Sequence, residues 1–344
     1  MHRPGPRFSR RTLLIGGAAA ASLATGVAVG SLLGPDDERR AGDDAPRTPV
    51  RPPARVGGFD VARPARLWRP TPLSDVTGPQ SLAFDDVNRR VYVAQAVRGR
   101  GRDGDLCITR YDFSGRRLGR MSLRGFGHGV SIGVEPAGDR TWLWVESDAD
   151  RTGYGRAVAR VRFRDGAVLD ESAAPVRQLR AAPDGSRRVH PAVDMAGGRV
   201  LIAYRTDGEL RYGLHRIEDL KSGNTSPTQI IENPGILEGE TFQGCALYGN
   251  YLYLLTGNPY SRPGGRNPEG SGGNTFISAI DVTTGESAGR QRVLVDLDLN
   301  YREPEGIAVR LTPEPLLCVG FSVKSPGRRN IALYGFHPHE PHRQ

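Results

Sequence analysis

Cysteine and lysine are both scarce in this 344-residue chain: there are three cysteines, and the only lysines are Lys221 and Lys324. Cys107, Cys245 and Cys318 cannot all pair, and none of them stands in a CxxC spacing, which excludes a disulfide framework and a zinc ribbon. Each lies in an apolar, β-prone run, where a thiol behaves as a small hydrophobe, so buried free thiols are expected. No HExxH motif or EF-hand loop is present, and no helix-turn-helix, zinc-finger or RRM pattern accompanies the net charge of +9. Nucleic acid is therefore not the expected partner. What remains is a basic chain of pI 9.8 whose charge is carried by arginine. The planar guanidinium fork suits phosphate, and an excess of such groups draws a protein to polyanions.

The first segment reads as an export address. Ser9-Arg10-Arg11-Thr12-Leu13-Leu14 precedes a small and apolar run from Ile15 to Leu33, which resembles a twin-arginine signal over residues 1–33; an uncleaved signal anchor is the alternative. No cysteine stands near the end of this run, which argues against a lipoprotein. Residues 34–60 are rich in Pro, Arg and Asp and read as a solvated linker. A folded domain is expected over 61–338 and a polar tail over 339–344. The protein is thus expected to be secreted or associated with the cell wall, free of membrane after signal removal, and monomeric.

The domain is written as a repeat. PQSLAF, GHGVSIGV, VHPAVDM, FQGCAL and PEGIAV share one grammar: a polar residue, then small residues, then an apolar β run. Each is followed by a turn and a second β-prone run: RRVYVAQ, RTWLWVES, GRVLIAYR, NYLYLLTG and PLLCVGFS. Such a unit, recurring at roughly 50 to 60 residues, is the signature of propeller blades. The fold class is all-β, a five-bladed β-propeller. The inner strands are expected to start at Gln80, Gly129, Pro191, Gln243 and Gly306, and a short helix is expected within Glu218 to Asn224. The last blade lacks an outer strand at the C-terminus, whereas Ala65 to Arg69 has no blade of its own. An N-terminal strand completing the last blade closes the ring and removes its open edges. The first strand of each blade lines the axis, so Gln80, His128, His190, Gln243 and Glu305 should converge at one mouth of the channel.

LSDVTGPQSLAFDD, GHGVSIGVE, YRTDG, FQGCALYGNYLYLLTG and DLDLNYREPEGIAV together resemble the β-propeller family of teichoic acid biosynthesis protein C and phage receptor-binding tail proteins. The resemblance runs from about Leu73 to Phe336. It implies a five-bladed propeller whose ligand is wall teichoic acid or another polyol-phosphate polymer. It leaves open whether the chain cuts that polymer or holds it.

The residues suggest a chemistry of their own. Of the seven histidines, only His128 and His190 occupy the innermost repeat position, on neighbouring blades. Two imidazoles at one mouth can share proton acceptance and donation near neutrality. In a poly(glycerol phosphate), the hydroxyl on the carbon beside each phosphodiester can attack phosphorus internally, an orientation advantage that needs no metal-activated water. The expected activity is metal-independent phosphodiester cleavage with His128 and His190 as base and acid, the assignment between them open. Arg205, Arg302 or Lys324 would neutralise the phosphate, and Gln80, Gln243 and Glu305 would orient polyol hydroxyls or an imidazole N–H. No cofactor is expected. The rival within the enzyme class is calcium in the channel, held by Glu303, Glu305, Asp194 and the histidines. Outside that class stand a binding propeller without catalysis and a purely structural repeat. Trp142 and Trp144, alternating along a second strand, read as packing between blades.

Overall fold

A computed structural model describes residues 55–173, 176–232, 235–260, 267 and 270–339. The twin-arginine segment and most of the 34–60 linker lie outside the described residues. Within that linker, however, Arg55–Val56 is a strand and Phe59 begins another. Val56 and Phe59 are buried in the apolar cluster between blades four and five, with Phe59 against Tyr248 and Tyr253, so the folded domain starts earlier than residue 61. A few apolar side chains in a Pro- and Arg-rich background are enough to recruit this stretch to a sheet.

Five antiparallel sheets follow one another along the chain. Blade one is built from Ser81–Asp85, Arg90–Ala96, Leu106–Asp112 and Arg117–Arg124. Blade two uses Gly133–Ala137, Arg140–Ala149, Gly155–Arg162 and the short Gln178–Leu179. Blade three uses Arg187–Asp194, Arg199–Thr206, Glu209–Arg216 and Gln229–Glu232. The expected helix is present in blade three as Ile217–Ser222, ended by Gly223 in the left-handed conformation. Blade four is Phe242–Tyr248, Tyr251–Thr256, Phe276–Asp281 and Ser287–Arg292. Blade five is Glu303–Arg310, Leu316–Ser325 and Arg328–Pro338, completed by Phe59–Pro72. That N-terminal strand pairs antiparallel with the last one, from Phe59 opposite Pro338 to Pro72 opposite Asn330, which closes the ring as the sequence implied. One strand was not foreseen: Val168–Asp170 leaves blade two and adds parallel to the outer edge of blade one.

Alternation along the strands sends apolar residues to both faces of each sheet, as two-sided packing demands. Five hydrophobic clusters result, one in each cleft between adjacent blades. Trp68 and Leu333 of blade five meet Leu82 and Val91 of blade one across the closing seam. Trp144 of blade two is fully buried in the cleft with blade three. The three thiols are buried and free.

The axis is closed part-way along. The residue after each polar position is small or cyclic: Ser81, Gly129, Pro191, Gly244 and Gly306. A Cβ on Gly306, whose φ is +88°, would come within 2.6 Å of the Cα of Ser81, and one on Gly244 within 3.2 Å of the carbonyl oxygen of Val130. Side chains are thus excluded from the centre, and neighbouring backbones meet there as a floor. The opposite mouth holds an apolar recess of about 100 Å³, lined among others by Phe84, Val134, Val193, Leu247 and Val309.

Candidate functional site

The site is organised by a carboxylate that the repeat did not reveal. Glu146 closes an otherwise apolar stretch of the second strand of blade two and is fully buried. Its Oε2 accepts from the backbone N–H of His128 at 3.0 Å and of Gly155 at 2.9 Å. Its Oε1 accepts from the N–H of Gly129 at 2.9 Å and of Val130 at 3.2 Å. These amides belong to a loop, because the inner strand of blade two begins at Gly133 and not at Gly129. The carboxylate replaces the missing strand partner and so sets where His128 stands.

The same carboxylate holds the second histidine. His190 Nδ1 lies 2.7 Å from Glu146 Oε1, with both side chains buried. Burial alone would raise the Glu146 pKa, but the His190 ring and the converging N–H donors outweigh it and bring it down to about 2. An ionised carboxylate at Nδ1 fixes that nitrogen as the protonated one, so Nε2 is left for chemistry.

Tyr154 stands between the two imidazoles. Its ring stacks on His128 with centroids 4.6 Å apart and planes at 23°, and it presents an edge to His190 at 6.4 Å and 69°. Phe242 of blade four stacks on the other side of His190 at 5.9 Å. Burial pushes the His128 pKa below its ordinary value; Glu146 opposes this, and His190 and Arg188 add to it. The Arg188 guanidinium lies 4.4 Å over the Tyr154 ring.

The remaining inner positions complete the rim. Gln80 is half-buried and bonds Pro79 O at 3.2 Å, while Gln243 is buried and donates to Gly257 O at 2.9 Å. Glu305 is buried beside Glu303, and burial, reinforced by that like-charged neighbour and its hydrogen bond, holds its carboxyl well above the usual range. Glu305 lies close enough to Tyr154 to act on it electrostatically, which places it at the same mouth.

Of the cations expected to meet phosphate, one is committed to the fold. Arg302 is fully buried; its Nε and Nη2 donate to the carbonyls of Val295 and Val293 at 2.7 and 2.9 Å, and its guanidinium packs 4.6 Å over Phe321. Its charge serves the seam between blades four and five, which corrects the phosphate-binding expectation for this residue. Arg205 donates to Gly208 O within its own hairpin at 3.1 Å. Lys324 is exposed on the outer hairpin of blade five, opposite Arg329. Of the rival calcium ligands, Asp194 is engaged at the far end of its strand by Arg199, at 2.6 Å, and by Gly197 N–H. Among the described residues no group of three or more His, Cys, Asp or Glu is placed to hold a metal.

Sequence reasoning missed Glu146, Tyr154, Arg188 and Phe242. Glu146 did carry a signal: it is an acid ending an apolar second strand, and Gln95 at the matching place in blade one is also fully buried and holds the 75–77 loop through its amide. Tyr154 sits in a loop and Arg188 in a bulge of the inner strand of blade three, places where the repeat has no fixed register.

Comparison with known proteins agrees with this architecture. A curated protein of Bacillus subtilis (strain 168) named teichoic acid biosynthesis protein C is 28% identical over 286 residues. The match takes in 80% of this chain and 63% of that protein, so the chain spans less than two thirds of its relative. The tail fiber of Staphylococcus aureus phage P68 superposes with a TM-score of 0.62 at 20% identity, over 81% of this chain and 53% of the fiber chain. The family model for the phage five-bladed β-propeller receptor-binding platform domain matches residues 79–335, from the first inner strand into the last strand of the chain, and the chain belongs to that family.

Proposed function

We propose that this propeller is an extracytoplasmic phosphodiesterase that cleaves a polyol-phosphate polymer of the wall teichoic acid type. The observation that carries the reading is the buried Glu146–His190 pair, 2.7 Å apart, facing His128 across Tyr154. A buried carboxylate that holds one imidazole by Nδ1, while its remaining lone pairs bind the backbone that carries the second histidine, has the logic of a catalytic base or acid held in one tautomer. The name of the Bacillus relative supplies the substrate class.

In the proposed reaction, the free hydroxyl next to a phosphodiester attacks phosphorus. A new P–O bond forms to that hydroxyl oxygen, and its proton passes to His128. The P–O bond to the next polyol unit breaks, and the departing oxygen takes a proton from His190, whose positive form Glu146 stabilises. The products are a shortened chain and a cyclic phosphate, which water can open with the histidines in exchanged roles. No metal or cofactor enters this route. Glu305, whose carboxyl burial and Glu303 hold well above the usual range, is the rim group inclined to donate to an oxygen of the substrate.

The test is incubation of purified protein with defined poly(glycerol phosphate), with and without chelator. Chain shortening that survives chelation is expected. Replacement of His128 or His190 by Ala should lower the rate by about 10² to 10⁴-fold without loss of fold. Activity at the parental level in both variants would end the mechanism.

The family itself favours a second reading, recognition of the polymer without cleavage, since its model describes a receptor-binding platform. Saturable binding with no change in chain length would select it.

A further inference from the structure

We infer that Arg188 is the anion-binding side chain of this site, and that the polymer's phosphate is held against the Tyr154–His128 stack by its guanidinium. The inference rests on the proposed function for the identity of the anion, and not for its existence.

The backbone comes first. Arg188 lies in a bulge of the inner strand of blade three, where pairing with the second strand slips between Arg187 and His190. Its φ is +54°, in the left-handed region that a residue with a long side chain adopts at a cost. The bulge re-aims the chain two residues before His190 and turns the Arg188 side chain to the mouth. A glycine or asparagine would fit this conformation better, so the fold alone gives no reason for an arginine here.

The side chain has a defined place. Its guanidinium carbon sits 4.4 Å over the centre of the Tyr154 ring, whose own plane lies within 23° of His128's, centroids 4.6 Å apart. The positive charge therefore lies across the Tyr154 ring from His128, near enough to push that imidazole's pKa down. No carboxylate is paired with it among the described residues. Arg329, stacked at 3.4 Å on Tyr301 in blade five, differs on this point because Glu303 and Glu305 face it. Stacking leaves the edge of a guanidinium free to donate two parallel bonds to non-bridging phosphate oxygens. Arg302, expected to do this, is sealed between blades.

The test uses three substitutions, Arg188→Gln, Arg188→Lys and Arg188→Gly, with inorganic phosphate, poly(glycerol phosphate) and glycerol as probes. Titration calorimetry should show phosphate and polymer binding weakened roughly tenfold or more in Arg188→Gln, with partial rescue by lysine, which keeps the charge and loses the fork. Glycerol binding should not change. Arg188→Gly should melt at the parental temperature or above, because the strain at φ +54° is relieved, while losing the anion equally. If the wild-type protein cleaves the polymer and Arg188→Gln keeps both KM and phosphate affinity, the inference is overturned and the proposed function stands. If the wild type leaves the polymer intact yet loses phosphate affinity on the same substitution, the phosphodiesterase reading fails and the anion site remains.

Discussion

Glu146→Gln is the most informative single change, because it keeps the shape of the side chain and removes its charge. The wild-type carboxylate accepts from four backbone N–H groups and faces one imidazole nitrogen. Depression of its pKa from 4.5 to about 2 corresponds to roughly 3 kcal/mol of native-state stability at about 1.4 kcal/mol per unit. The sign is that of a depressed acid: the contribution is complete above pH 4.5 and disappears as pH falls toward 2. The hydrogen-bond count leads to a similar figure. Either orientation of the glutamine amide turns an NH₂ toward backbone donors, and two orphaned donors cost about 1 to 3 kcal/mol each. A loss of about 3 to 5 kcal/mol is therefore expected at pH 7, read from urea melts as a lower midpoint at unchanged slope. The deficit relative to wild type should shrink when the melts are repeated near pH 4. Catalysis should fall with it, since the loop carrying His128 loses its anchor. A variant that melts with the wild type at pH 7 would refute the idea that this carboxylate builds the site.

Other consequences are equally open to measurement. His215 is fully buried, and burial pushes its pKa down to about 4; the unfolded chain binds a proton that the native state refuses, so stability should drop by roughly 2 kcal/mol between pH 8 and pH 5, and His215→Phe should flatten that part of the pH–stability curve. Removing residues 1–72 takes Phe59, Val61 and Trp68 out of two inter-blade clusters and bares the edge of blade five; a loss of more than about 5 kcal/mol or insoluble protein is expected, and an undiminished melting temperature would contradict the closure. Gly306→Ala brings a Cβ to 2.6 Å from Ser81 Cα at φ +88°; stability should fall by about 2 kcal/mol or more, with polymer cleavage impaired at 25 °C although the histidines are untouched.

The repeat made the fold legible, because each blade must present two apolar faces and a turn, and that requirement writes itself into every copy. The five polar positions were legible for the same reason: they occupy one place in a periodic unit. What the period could not reveal lies where the chain leaves it. Glu146 works by bonding loop amides, a role defined by three-dimensional approach and not by spacing. Arg302 reads as a rim cation beside Glu303, yet the chain takes positive φ at both Tyr301 and Arg302 and the side chain ends up in the seam. Gln80 and Gln243 reach the expected mouth but bond to nearby backbone carbonyls, which no strand pattern encodes. Val168–Asp170 was overlooked because it augments a neighbouring blade, and its sequence belongs to neither repeat.

Pairing Phe59 with Pro338 also has a bearing on biogenesis. A chain emerging from the ribosome can form each hairpin as it appears, but the segments around Phe59 and Pro338 meet only once residues up to Pro338 have emerged, across nearly the whole length of the domain. Contacts so distant in sequence make for slow folding. Until then the nascent ring stays open, with apolar faces on either side of the gap for a chaperone to cover.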